Sequence, residues 1–204
     1  MIRLLVISLI CTVTMAMSGD ERACSHICTC NTKEGYVTCK DINSIPAFIN
    51  ASSVVSLIVS PNTLTSIAAD DFPSFTSLEH LALSQGNISS IEAGAFLSVL
   101  KTVTFLNMNN NKLTSIPSNT FKDSSSLVHL DISCNSLTNL QENFIVGFTN
   151  LVFLDLSGNN LSHIDNGALT NSSVEMLHLC DNDLGWAYFK NTCSYVASVW
   201  FNYM

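Results

Sequence analysis

The sequence predicts a solenoid, one elongated domain in which successive turns of the chain stack and each adds a strand to a parallel sheet. Three observations carry this. First, the stretch from Leu151 to Ile164, LVFLDLSGNNLSHI, recurs with apolar residues at positions one, four, six, eleven and fourteen; its copies start at Val54, Leu78, Val103, Leu127, Leu151 and Val174, spaced by 24, 25, 24, 24 and 23 residues. Second, Leu154-Asp155-Leu156-Ser157 alternates apolar and polar, the signature of a short strand with one buried face. Third, the ninth position holds Asn62, Asn111, Asn135, Asn159 and Asn182. An amide at the bend after a strand can donate to and accept from backbone groups that no ladder satisfies.

Each further position follows from this frame. Position fourteen holds Ile67, Ile91, Ile116, Leu140 and Ile164, and farther round come Phe72, Phe96, Phe121, Ile145 and Leu169. These turn apolar groups back into the core after the strand. The second turn departs from the pattern, with Gly86 at position nine and Asn87 one place late, so a loosened bend is expected there. Pro61, Pro73 and Pro117 fall at strand ends or connections, where a missing N–H is expected to do no harm. A lone turn buries too little apolar surface to offset the entropy of ordering its backbone, so the turns must form an array with protected ends.

This repeated pattern resembles the leucine-rich repeat family, in its extracellular subclass of about 24 residues per repeat. The resemblance implies an α/β solenoid, a right-handed curved array with its parallel β-sheet on the concave face. The repeats are assigned to 54–184.

The ends carry different signals. Residues 1–18 read as a secretory signal peptide: Arg3 gives a basic start, Leu4 to Val13 an apolar core, and Ala16 and Ser18 the small residues before cleavage near Gly19. That run is too short to cross a bilayer, and no later stretch is long enough. Residues 19–53 hold Cys24, Cys28, Cys30 and Cys39, whose spacing alone permits more than one connectivity. They resemble the amino-terminal cysteine cap of secreted relatives, which implies pairing of Cys24 with Cys30 and of Cys28 with Cys39. A zinc site using His26 is the rival reading, disfavoured by an oxidising compartment. Val37 and Cys39 are expected to start an edge strand.

Residues 185–204 leave the pattern. Trp186, Tyr188 and Phe189 would cover the last repeat, and Cys180 with Cys193 would staple it. Family relatives close with a four-cysteine cap, so this end is an atypical or a truncated C-terminal cap. Cys134 is left over, about 10 Å from Cys180 on strand spacing and so beyond disulfide reach. Sequons at Asn50, Asn87, Asn160 and Asn171 mark expected glycosylation sites.

Charge narrows the partners. Sixteen acidic residues against eight basic ones give a net charge of −8, spread along the chain. Nucleic acid and anionic membrane would be repelled. Side chains at positions three and five face away from the core and line the expected concave surface: His80, Phe105, His129, Phe153 and Met176 in one column, Asn107, Asp131, Asp155 and His178 in the next. Aromatic anchors beside an acidic stripe suit a protein interface. Asp131 and Asp155 stand at a spacing like that of a glycosidase carboxylate pair, but any two neighbouring rows do, and the sequence holds no nucleophile elbow, phosphate loop or metal-protease motif. The expectation is a secreted, non-enzymatic recognition module without metal or cofactor, binding an extracellular protein or glycan. A receptor ectodomain fragment and a passive matrix spacer are the alternatives.

Overall fold

The structure, a computed structural model, describes residues 22–25, 28–31, 33–46, 51–72, 75–122, 124–142, 144–165, 167–169, 173–185 and 195–196, with backbone alone for 22–25 and 195–196. Residues 1–18, read from the sequence as a signal peptide, and His26, Asn50, Pro73, Asn171, Trp186, Tyr188, Phe189 and Cys193 lie outside the described residues.

The strands, in chain order, are β1 (Arg22–Ser25), β2 (Cys28–Asn31), β3 (Tyr36–Cys39), β4 (Ser56–Val59), β5 (Ser66–Ile67), β6 (His80–Ala82), β7 (Ser90–Ile91), β8 (Phe105–Asn107), β9 (His129–Asp131), β10 (Asn139–Leu140), β11 (Phe153–Asp155), β12 (His163–Ile164), β13 (Met176–His178) and β14 (Tyr195–Val196). Ten of them form one sheet in the order β1-β2-β3-β4-β6-β8-β9-β11-β13-β14. From β3 to β13 every neighbour is parallel and in register, so that Leu57, Leu81, Leu106, Leu130, Leu154 and Leu177 form one row across the sheet. All six are buried, five of them completely. The chain therefore forms the leucine-rich repeat solenoid that the period implies.

The bend after each strand is set by two successive residues. Position eight takes a left-handed backbone, with φ of 55° at Gln85, 54° at Asn110, 52° at Cys134, 62° at Gly158 and 55° at Asp181. Its N–H donates to the next turn's position-seven carbonyl, as Cys134 does to Ser157 at 2.8 Å. Position nine then points its amide inward. Asn159 Nδ2 donates to the Leu156 and Ile132 carbonyls at 3.0 and 3.1 Å, and its Oδ1 accepts the Leu137 N–H at 3.0 Å. Asn111, Asn135 and Asn182 repeat this geometry, making a ladder that ties each turn to the one before it.

The second turn is not loosened. Its Gln85 and Gly86 N–H groups donate in register to Asn109 and Asn110 at 3.0 and 2.9 Å. Pro61, at position eight of the first turn, has no N–H for the Ser84 carbonyl, and Gly86 has no amide for the Leu64 N–H. Asn62 swings forward and serves both, donating to Ser84 O at 2.9 Å and accepting from Leu64 N at 3.1 Å. It fills the space beside Gly86, where an added Cβ would lie 2.3 Å from Asn62 Oδ1.

On the flank, β5 pairs with β7 and β10 with β12, two short parallel ladders instead of one. The break falls at Ile116, and Pro117 explains the side of it that faces β7. The residue after β7 and after β12 closes its ladder through its N–H, Glu92 to Ile67 and Asp165 to Leu140, each at 2.9 Å. Pro117 stands at the same position with no N–H to give, so this proline does cost the flank a bond.

The convex side of this solenoid carries almost no helix. Among the described residues the only helix is a single 3-10 turn at Ala51–Ser53. Residues 92–103 instead run as overlapping turns, Ala95 N to Glu92 O, Leu97 N to Gly94 O and Thr102 N to Val99 O. Gly94 with φ of 82° interrupts any continuous helical backbone. Inside this surface Phe72, Phe96 and Phe121 stack at 5.9 and 6.4 Å between ring centroids. Where Ile145 ends the column, Phe144 and Phe148 pack on Phe121 from two sides.

Antiparallel strands extend the parallel stretch of the sheet at both ends. β3 is not an edge: it pairs antiparallel with β2, and β2 with β1. Cys28 and Cys39 face one another across β2 and β3 and are joined by a disulfide. Cys30 is also disulfide-bonded; its expected partner Cys24 stands on β1, whose side chains are not described. At the other end β14 pairs antiparallel with β13. The expected Cys180–Cys193 pair falls on a residue outside the description.

Candidate functional site on the exposed face of the sheet

Because alternate strand residues point to opposite faces, burying the position-four leucines projects positions three and five outward. The strands are short, so each turn offers two such side chains, and register stacks them into two columns. In the first, Tyr36, Ser56, His80, Phe105, His129, Phe153 and Met176 succeed one another across seven strands. Ser56 is buried at 4% exposure, so its slot gives no contact surface; Tyr36 at 49% and Met176 at 44% bracket the column.

The rings of this column do not stand apart. His129 lies flat between Phe105 and Phe153, with centroids 4.4 and 4.2 Å away and interplanar angles of 17° and 6°. His80 tilts against Phe105 at 5.8 Å, and His178 meets Phe153 edge-on at 4.9 Å. Stacking leaves Phe105, His129 and Phe153 half-buried, where the sequence suggests exposed phenylalanines. Burial between the two rings pushes the His129 imidazole below the usual histidine range, against the opposing pull of Asp131 and Asp155.

The second column holds Thr38, Ile58, Ala82, Asn107, Asp131, Asp155 and His178. Each acid is pinned by the serine two residues on: Asp131 Oδ1 accepts from the Ser133 N–H and hydroxyl at 3.0 and 2.6 Å, and Asp155 Oδ1 from the same groups of Ser157 at 2.9 and 2.6 Å. The other oxygens face neighbours. Asp131 Oδ2 accepts from Asn109 Nδ2 at 2.8 Å, and Asp155 Oδ2 lies 3.4 Å from His178 Nδ1. Asn107 Oδ1 accepts from the Asn109 N–H at 2.9 Å. The acidic stripe is therefore held in fixed rotamers before any partner arrives, which lowers the ordering cost of binding.

All nine residues expected at the site, His80, Phe105, Asn107, His129, Asp131, Phe153, Asp155, Met176 and His178, stand on these two columns. Tyr36, Asn109, Ser133 and Ser157 are additions. The Asp-x-Ser repeats at 131–133 and 155–157 and the alternation of Tyr36-Val37-Thr38-Cys39 are the signals that could have found them. Among the described residues no group of His, Cys, Asp and Glu is placed to hold a metal. Asn87 and Asn160 are exposed at the first place after the bend, and Cys134 is exposed on the bend itself.

Comparison with known proteins agrees with the geometry. The family described as "Leucine rich repeat" matches residues 76–137, 101–161 and 125–184, which together span more than half of the chain. The chain belongs to that family. Among relatives, it is 28% identical over 111 residues to leucine-rich repeat-containing protein 3 of Danio rerio, covering 52% of this chain and 41% of that protein. It is 31% identical over 103 residues to leucine-rich repeat-containing protein 3B of Homo sapiens, covering 49% and 39%. The match thus spans less than half the length of these relatives. The crystal structure of human 5T4 (Wnt-activated inhibitory factor 1, Trophoblast glycoprotein) superposes with a TM-score of 0.58 at 22% identity, over 81% of this chain and 73% of that one, a likeness of fold.

Proposed function

We propose that this chain is an extracellular recognition module that binds a protein partner, or a glycan, through the exposed face of its main sheet. The observation that carries the reading is the ladder of His80, Phe105, His129 and Phe153 standing beside Asp131 and Asp155. Half-buried aromatic rings held rigid on a sheet give large contact area at small entropic cost, and adjacent carboxylates add direction. Leucine-rich repeat domains generally serve as protein-interaction modules, which favours binding over catalysis. Among the described residues no helix is long and apolar enough to cross a membrane.

Secretion is read from residues 1–18, the cap from 19–53 and its disulfides, and glycans are assigned to Asn87 and Asn160 from their exposure. The greater length of the relatives supports a second reading, in which the same face belongs to the amino-terminal part of a longer receptor ectodomain. A full-length transcript separates the two, by an in-frame stop after Met204 or by further repeats and an anchor. The binding face is tested by screening the chain against a panel of extracellular proteins, then repeating each hit with Phe105, Phe153 and Asp155 changed to alanine. Loss of binding supports the assignment. Hits that survive all three changes place the interface elsewhere.

A further inference from the structure

We infer that the partner of this face is an extended protein segment carrying a lysine or arginine, which seats on Asp131 and Asp155, and an apolar residue four places away, which covers Ile58. The inference rests on the recognition reading above and gives it a chemistry.

The cationic half follows from the carboxylates. Asp131 and Asp155 are register partners on adjacent strands, about 4.8 Å apart in strand spacing. Each commits Oδ1 to its serine and leaves Oδ2 with one contact, Asn109 Nδ2 in one case and His178 Nδ1 in the other. A carboxylate oxygen accepts two hydrogen bonds, so each of the two neighbouring acids keeps one acceptor site. Among the described residues no lysine or arginine pairs with either acid, although both are half-buried, Asp155 with 18% of its side chain exposed. Two half-buried carboxylates on neighbouring strands repel one another, and a partner's ammonium or guanidinium relieves that repulsion. The net charge of −8 draws such a segment in.

The apolar half follows from the column. Ile58, Ala82, Asn107 and Asp131 are consecutive register partners on β4, β6, β8 and β9. Ile58 is 38% exposed, and Tyr36, diagonal to it on β3, 49%. Three strand intervals separate Ile58 from Asp131, about 14 Å, and about four residues of extended chain cover the same distance. Residues four apart on an extended segment point the same way. Small Ala82 and neutral Asn107 leave room for the side chain between them. A stacked sugar fits less well, because both faces of His129 and the inner faces of Phe105 and Phe153 are already covered.

The test pans a displayed library of random peptides on the full-length chain, with a glycan array in parallel. Enriched peptides should carry Lys or Arg four residues from an aliphatic or aromatic one, and bind more weakly as salt rises. The double variant Asp131→Asn, Asp155→Asn keeps the Oδ1 acceptors for Ser133 and Ser157 while removing both charges. It gives up the Asn109 bond to Asp131 Oδ2, so it should keep a cooperative urea transition at a slightly lower midpoint while losing at least about tenfold in affinity for those peptides. Enriched peptides without a cation, bound less well by Phe105→Ala and Phe153→Ala, would overturn the charge assignment and leave the recognition reading intact. Binding indifferent to every one of these changes would overturn both. Glycans bound with no peptide enriched would overturn the peptide assignment in favour of carbohydrate.

Discussion

Replacing Asn159 by alanine isolates what the asparagine ladder contributes. The side chain makes three kinds of bond, and they are not equally replaceable. The Ile132 carbonyl also accepts from Asn135 Nδ2 at 3.1 Å, and the Leu156 carbonyl from Asn182 Nδ2 at 2.9 Å. Both keep a partner when Asn159 is truncated. The Leu137 N–H does not, because Asn159 Oδ1 is its acceptor and Leu137 is 1% exposed. One orphaned buried donor costs roughly 1 to 3 kcal/mol and each lost shared bond about 0.5 kcal/mol, so Asn159→Ala should destabilise by about 2 to 4 kcal/mol. The neighbouring Asn160 is exposed and joins the array through its backbone, its N–H donating to Leu137 O at 2.9 Å. Asn160→Ala should stay within about 0.5 kcal/mol of the parent. Urea unfolding of the three proteins, compared at equal m-values, reads the difference. Equal midpoints for the two variants would show that the inward amide does not hold consecutive turns together.

Three more outcomes follow from the same contacts. Gly86→Ala should cost about 2 to 4 kcal/mol in urea unfolding, because displacing Asn62 orphans the Ser84 carbonyl and the Leu64 N–H together; Gly86→Asn, which brings its own acceptor for Leu64, should cost less, and the reverse order would refute the exchange of roles. Leu154→Ala should lose about 2 to 5 kcal/mol, since a completely buried row residue leaves a cavity between two turns. The folded His129 holds its proton less tightly than the unfolded one, so between its depressed value and about 6.5 the unfolded state binds more protons, and stability falls as pH drops through that window. His129→Phe keeps a ring in the stack and removes this contribution. Urea midpoints at about pH 7.5 and about pH 5.5 should converge relative to the parent, and an unchanged pH dependence would remove His129 as its source.

The parts of the fold that repeat were legible in the sequence, because a repeated position reports the same environment several times over. The row of Leu57 to Leu177, the inward amides and the two exposed columns all follow from spacing. What was not legible depends on contacts between different turns. Nothing local to Pro61, Asn62 or Gly86 shows that the three compensate one another across the bend; taken alone, Gly86 reads as a defect. Pro117 looks harmless until the Glu92 and Asp165 N–H groups are seen closing the ladder at its position. The convex side depends on residues outside the repeated positions, such as Gly94 and the overlapping turns of 92–103. At the site, Phe105 and Phe153 taken one at a time are expected to be exposed, and their stacking on His129, which covers one face of each, needs the register of three strands.

Hydroxyl-radical footprinting of the chain alone and with a partner captured in the extracellular screen tests the central claim most directly, because both surfaces carry oxidisable side chains in exposed positions. Tyr36 and Met176 mark the two ends of the proposed binding face, and Leu97 and Val146, each 48% exposed, stand outside it. Bound partner should protect Tyr36, Phe105, Phe153 and Met176 and leave Leu97 and Val146 oxidising at their free rates. Protection of Leu97 and Val146 with Phe105 and Phe153 unchanged would contradict the assignment.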